Sequence, residues 1–197
     1  MIDKVISFFE TELNQFLTNR FPGAIEPVEP NAILDQSGSN GLTAGKIGIT
    51  LVNIEEERMM KAQLPYEASV TTGALKRRNP EIKLNLFLLF AANFDAGTSG
   101  SANYKESLKR LSGVIGFFQS RNIFTQENSP GLDDGISRLT AELYTLPMEQ
   151  QNYLWAALGA KYMPSVIYKI RLITVQEGVP LGSDQPITTL NANLGHK

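Results

Sequence analysis

From Ile82 to Phe94 the chain reads IKLNLFLLFAANF, a strand whose second half is apolar on both sides. Ile82, Leu84, Leu86, Leu88 and Phe90 alternate onto one face, while Phe87, Leu89 and Ala91 fill the other. Such a strand must be covered above and below, so it belongs in the centre of a sheet that carries packing layers on both faces.

The neighbours of that strand follow from the same period. Lys46 to Ile54 sets Ile47, Ile49 and Leu51 against Gly48, Thr50 and Val52. Ser137 to Leu146 alternates Leu139, Ala141 and Leu143 with Arg138, Thr140 and Glu142. Ser165 to Gln176 opposes Val166, Tyr168, Ile170 and Leu172 to Ile167, Lys169, Arg171 and Ile173. Short extended pieces are predicted around Ile25 to Glu29 and Ala32 to Leu34, and Pro27 and Pro30 suit a sheet edge, where a missing donor is tolerated.

Three helices are predicted. Ile2, Val5, Ile6, Phe9, Leu13, Phe16 and Leu17 recur at helical spacing, with Lys4, Glu10, Glu12 and Asn14 mostly on the other side, and Pro22-Gly23 ends the run. Tyr104, Leu108, Leu111, Ile115 and Phe118 define a second core-facing stripe, with Lys105, Lys109 and Arg110 outside. Pro147 opens a third helix to about Leu158, and Gly159 suits its end. The predicted fold is a single α+β domain over residues 1–177, with a mostly antiparallel or mixed sheet of about four long strands covered by three helices. Residues 178–197 are polar and without period, and are expected to form a tail that orders only on a partner. Gln36 to Gly45 is expected to be an exposed turn or mobile loop.

Composition narrows the function. A chain of 197 residues with 42% hydrophobic residues suffices for one core, burying roughly 70% of its unfolded surface. With 18 basic against 20 acidic residues, no global charge points to nucleic acid or an anionic membrane. Zero cysteines remove disulfides, thiolate nucleophiles and sulfur-ligated zinc. The opening MIDKVISFFETELNQFL lacks the marks of a signal peptide, and no segment reaches the roughly 18 apolar residues of a membrane span, so a cytosolic product without membrane insertion is expected.

Reactive chemistry is sparse. His196, the one histidine, stands next to the C-terminal residue. Glu55, Glu56 and Glu57 could bind a hard cation, but consecutive strand residues point to alternating faces, so a solvated strand end is the reading. Asp133 and Asp134 beside turn residues read as caps of local donors. GTSGS at Gly97 to Ser101 lacks the Lys of a Walker loop and the spacing of a dinucleotide site. No enzyme, cofactor or metal is therefore expected; the enzymatic alternative is a carboxylate-dependent hydrolase using Asp133 or Glu127. Between Arg58 and Asn79 the chain carries Arg58, Lys61, Lys76, Arg77 and Arg78 against Glu67 alone, reading either as a solvated flap or as a contact arm for an acidic neighbour.

Four separated segments carry a family resemblance: LVNIEEER at Leu51 to Arg58, NPEIKLNLFLLFAANF at Asn79 to Phe94, FFQSRNIFTQENSP at Phe117 to Pro130, and LWAALGAKYMPSVIYKIRLI at Leu154 to Ile173. Together and in this order, the chain over about residues 1–176 resembles the tube-terminator, or cap, family of phage-tail-like contractile injection systems, which includes the antifeeding prophage and the virulence cassettes. The resemblance implies a phage tail-terminator-like fold and a hexameric ring on the end of the inner tube. It also implies the inner tube protein, terminal sheath subunits and, in some systems, a second cap protein as partners. Assembly would take place in the bacterial cytoplasm, as part of a particle that some systems release.

By motif position, neighbour contacts are expected at Glu55, Glu56, Glu57 and Arg58 with the adjoining Lys76, Arg77 and Arg78, and at Glu127, Asn128, Ser129 and Pro130. Trp155, Tyr162 and Tyr168 suit the fold or a subunit interface. Sheet edges are natural contact places, since free strand donors and acceptors can pair with a neighbour. The alternative to a cap is an adaptor or baseplate-associated component of the same particle.

Overall fold

The computed structural model describes residues 1–21, 23, 27–34, 41–57, 66–68, 75–77, 82–94, 100–175 and 182–184, with the main chain alone at 66–68, 75–77, 100–102, 172–175 and 182–184. Its elements are α1 (Ile2–Arg20), β1 (Val28–Pro30), β2 (Ile47–Glu56), β3 (Tyr66–Ala68), β4 (Leu75–Arg77), β5 (Ile82–Ala92), α2 (Gly100–Ser120), β6 (Ile123–Thr125), β7 (Arg138–Tyr144), α3 (Met148–Ala157), β8 (Ser165–Val175) and β9 (Gly182–Asp184).

The chain divides into two compact units, one of residues 1–56 and 84–173, the other of residues 57–83 and 174–197. The first unit is an α+β domain on a mixed six-stranded sheet of order β1-β2-β5-β8-β7-β6. β1 runs parallel to β2, whereas β2 with β5, β6 with β7, and β7 with β8 are antiparallel. β2, β5, β7 and β8 are the four long strands anticipated, and the short β1 and β6 form the edges. Of these, β6 is not foreshadowed by any periodicity.

β5 separates two cores as its sequence requires. Leu86, Leu88, Phe90 and Ala92 pack on the side of α1 and α2, and Phe87, Leu89 and Ala91 on the side of α3. The first core is a cluster of rings. Phe9 meets Phe8, Phe118 and Phe124 at centroid distances of 5.2, 5.5 and 5.3 Å, and Phe118 stacks on Tyr168 at 4.1 Å. Edge and offset pairs of this kind each add about 0.5–1.5 kcal/mol beyond their buried area.

Two features of the first unit differ from the sequence expectation. The buried stripe of α2 is Leu111, Val114, Phe117 and Phe118, while Tyr104 and Ile115 face outward. Gly113 explains the rotation: a Cβ there would stand 2.9 Å from the Phe21 ring and against Leu17, so the bare backbone is what lets α1 close on α2. Leu42, assigned to an exposed loop, is buried against the α3-side core. Beside it, the Glu29 carboxylate accepts from the Thr43 N–H at 2.6 Å and pairs with Lys46 at 3.4 Å. Burial pushes the Glu29 carboxyl up, but these partners outweigh it and hold the group below its ordinary value.

The second unit carries a three-stranded sheet of order β3-β4-β9. The basic stretch expected as a loop thus contains two strands, with Glu67 opposite Lys76 and Tyr66 opposite Arg77. Gly182 and Ser183, within the expected polar tail, pair with Arg77 and Lys76. Arg58 and Arg78 lie outside the described residues.

Candidate assembly interface

α3 packs less of itself than the other helices do. Pro147 at its N-cap and Gly159, left-handed at φ +68° just past its end, limit it to ten residues. It buries Trp155, with Leu154 and Leu158 partly covered beside it. Several outward and flanking positions are apolar, interspersed with the exposed Glu149, Gln150 and Asn152: Met148 is 83% exposed, Tyr153 63%, Tyr162 62% and Leu143 57%, and Tyr144 is exposed as well. Exposed apolar side chains grouped around a short helix leave unburied surface that a second molecule can cover.

Trp155 joins the inner and outer layers. It touches Tyr162 edge-on at 5.8 Å and lines two adjoining depressions, one walled by Leu143, Leu146 and Ile167, the other by Met148 and Tyr162. It is 3% exposed, yet its indole N–H has no hydrogen-bond partner among the described residues. A buried donor left without an acceptor costs about 1–3 kcal/mol.

The same sheet face continues beyond α3 as a charged half. A register shift between Leu51 and Asn53 makes a bulge in β2, after which Asn53 stands opposite Phe87 and Glu55 opposite Asn85. Without it, strict alternation from Ile49 and Leu51 would turn Glu55 toward α1 and α2; the bulge re-aims it to the α3 side. There Glu55 reaches Lys169 at 3.5 Å, Lys169 lies 5.2 Å from the Phe87 ring, and Arg171 bonds Glu142 at 3.0 Å. Exposed pairs of this kind contribute about 0–1 kcal/mol each, so they orient a contact more than they drive it.

The other sequence-predicted positions are dispersed. Glu56 is exposed at the end of β2, and Glu57 donates its N–H to the Lys83 carbonyl at 2.8 Å. Lys76 and Arg77 belong to β4 of the second unit. Glu127 and Pro130 are exposed in the turn after β6, Ser129 is fully buried, and the Asn128 side chain bonds the chain's own backbone. Tyr168 is a core residue on the α1 and α2 side, where burial pushes its phenol up. The sequence reading did not mark Leu143 or Met148 as contact positions, and no local period distinguishes them, because their exposure depends on how α3 sits on the sheet.

Asp133 bonds Lys4 at 2.7 Å and accepts from the Gly135 N–H at 3.0 Å. The Lys4 ammonium, then the Gly135 donor, hold its carboxyl below the ordinary value, so it acts as a clasp between α1 and the loop before β7. No group of three acidic or imidazole side chains among the described residues could hold a metal ion, and no helix among them is long and apolar enough to cross a membrane.

A mixed six-stranded sheet with helices on both faces defines the class of this domain as α+β. Residues 4–189 match the Pvc16 N-terminal domain, and the chain belongs to that family. Its fold is similar to the cryo-EM structure of a sheath/tube terminator of the PVC extracellular contractile injection system in the extended state. The TM-score is 0.59 at 12% identity, covering 100% of this chain and 64% of that one. It is also similar to the anti-feeding prophage cap, an AFP tube-terminating cap, with a TM-score of 0.61 at 13% identity, covering 98% of this chain and 61% of that one. The chain therefore spans less than two thirds of the length of both. No curated protein matches the sequence.

Proposed function

We propose that this chain is a structural cap that terminates the inner tube of a contractile injection system and meets its last sheath layer, working as a hexameric ring without catalysis or cofactor. The observation that carries the reading is the fold likeness over the whole chain to a sheath/tube terminator, joined to membership of the Pvc16 N-terminal domain family. The physical character of the surface supports it. Termination needs complementary surfaces, and a ring needs head-to-tail contacts that close by rotation.

In this reading the α3 face, with Tyr162, Met148 and the unpartnered Trp155 indole, supplies one side of the protomer contact. The Glu55–Lys169 and Glu142–Arg171 pairs fix its orientation. Glu56, Glu57 and Glu127, with the basic residues Arg58, Lys76, Arg77 and Arg78, serve contacts to tube, sheath or a second cap protein. The ring forms in the bacterial cytoplasm and becomes part of the particle, which is released in systems of the extracellular type.

Light scattering on the purified chain, alone and with inner-tube protein, tests this together with negative-stain microscopy. Six copies in a ring, or tubes of limited length bearing a ring at one end, are the expected result. A persistent monomer or dimer that leaves tube growth unchanged would instead assign the chain to an adaptor or baseplate-associated role.

A further inference from the structure

An open sheet ends in two edge strands, and each ordinarily offers a row of main-chain donors and acceptors to any passing strand. In this protein much of both rows is taken up by the chain's own groups. In β1, the Pro27 carbonyl and the Asn31 N–H are the groups bonded to β2, which turns the main chain of Val28 outward. There Asn14 of α1 donates from Nδ2 to the Val28 carbonyl at 2.9 Å and accepts the Val28 N–H on Oδ1 at 2.8 Å. Pro30, the next outward residue, has no N–H to offer.

The opposite edge repeats the device. Asn122 accepts from Ala141 of β7, which turns Ile123 and Thr125 of β6 outward. Asn128 Nδ2 donates to the Ile123 carbonyl at 3.0 Å, and its Oδ1 accepts the Thr125 N–H at 2.9 Å. The Thr125 carbonyl takes the N–H groups of Asn128 and Ser129 at 3.2 and 2.9 Å. Of the outward main-chain groups of these two residues, only the Ile123 N–H is not engaged by the turn. The turn is itself held: Arg121 donates to the Asn128 carbonyl at 3.0 Å, pairs with Glu12 of α1, and lies 4.8 Å from the Phe124 ring.

An asparagine side chain carries the same donor and acceptor pair as a peptide group, so one residue can stand in for one rung of a neighbouring strand. We propose that Asn14 and Asn128 are edge plugs: each presents its amide to one outer edge of the six-stranded sheet in place of another strand, barring strand addition by other copies or by partners. Molecules that associate with this unit then meet it through side-chain faces. The sheet edges anticipated as contact places are the surfaces it has closed. A chain that stacks at high local concentration gains from this, because open strand edges propagate without limit whereas a side-chain face is satisfied by one partner.

Amide hydrogen exchange on the intact chain tests this first. The Val28 and Thr125 amides should exchange at least about tenfold more slowly than the Ile123 amide, after correction for intrinsic rates. Equal rates would overturn the proposal. Asn14→Leu with Asn128→Leu should then abolish that protection and produce concentration-dependent species larger than the parent assembly, with an intermolecular strand band in the infrared. Asn128→Asp, which keeps the acceptor for Thr125 and loses the donor for Ile123, should fall between. A doubly substituted chain that keeps its near-ultraviolet dichroism, its mass and its infrared spectrum would sink the idea. Should that variant unfold, exchange in the parent chain still decides. Strand pairing is the readout throughout, so the result is independent of whether the chain caps a tube.

Discussion

The two faces of the six-stranded sheet share β5, yet they are finished differently. On one side α1 and α2, of 19 and 21 residues, lock Phe8, Phe9, Phe117, Phe118 and Phe124 into a sealed core. On the other, α3 has ten residues, buries one tryptophan with an unsatisfied N–H, and turns Met148, Tyr153 and Tyr162 to solvent. An apolar strand demands cover on both faces but does not say how complete the cover must be. The first face therefore buries the larger apolar cluster, and the second leaves apolar side chains exposed.

The largest effect that could break this contrast is expected at Phe9. Phe9→Ala empties a fully buried site among three rings and should cost about 3–5 kcal/mol in chemical denaturation. A loss below about 1 kcal/mol would mean that the aromatic side is not the principal store of stability.

Gly113→Ala sharpens the account of how α1 and α2 meet. Its helix-propensity gain of about 1 kcal/mol opposes an overpacking cost of about 1–3 kcal/mol against Leu17 and Phe21, so a net loss of about 1 kcal/mol is expected in thermal unfolding. A net gain would show that the helices can step apart without penalty.

On the other face the signs should separate. Met148→Ser with Tyr162→Ser should move unfolding free energy by no more than about 0.5 kcal/mol. The same pair should weaken self-association by about tenfold or more in sedimentation equilibrium. Lost stability with unchanged association would reverse the roles assigned to the two faces.

The smallest effect concerns the solvent-exposed clasp of Lys4 and Asp133 at the margin of the aromatic side. The Asp133 carboxyl is lowered on folding, so its contribution is present above the ordinary 3.8 and lost as pH falls through the lower folded value. The Lys4 ammonium is raised by Asp133, so its contribution is complete below the ordinary 10.5 and lost as pH rises through the higher folded value. The clasp should be indifferent to pH across the neutral range. Lys4→Met should bring the Asp133 titration, followed by NMR, back toward the ordinary value; no movement would mean that the pair is not formed in solution.

Much of this fold was legible because it rests on local period. The two-sided apolarity of Ile82–Ala92, the stripes of Ile2–Arg20, the prolines of the β1 edge and Gly159 after α3 are each set by residues a few positions apart. They require only that a strand repeats every two residues and a helix every 3.6. The same local information suffices to identify a chain poor in reactive groups and rich in packing surface.

Tertiary structure alone decided which of several compatible faces and partners won. The stripe of α2 kept Leu111 and Phe118 but took in Val114 and Phe117 while Tyr104 and Ile115 turned outward, and Gly113 admits α1 on that side. A bulge of one residue sent Glu55 to the opposite face from the one that alternation assigns. Asn14, which reads as a solvated position on a helix, spends its amide on Val28, and Asn128, which reads as a contact for a neighbour, spends its own on Ile123 and Thr125. Periodicity is a sum over nearby residues, whereas these outcomes depend on which backbone groups remain unpaired once the strands are in place. An amide at Asn14 cannot find Val28 until helix and edge strand are packed together.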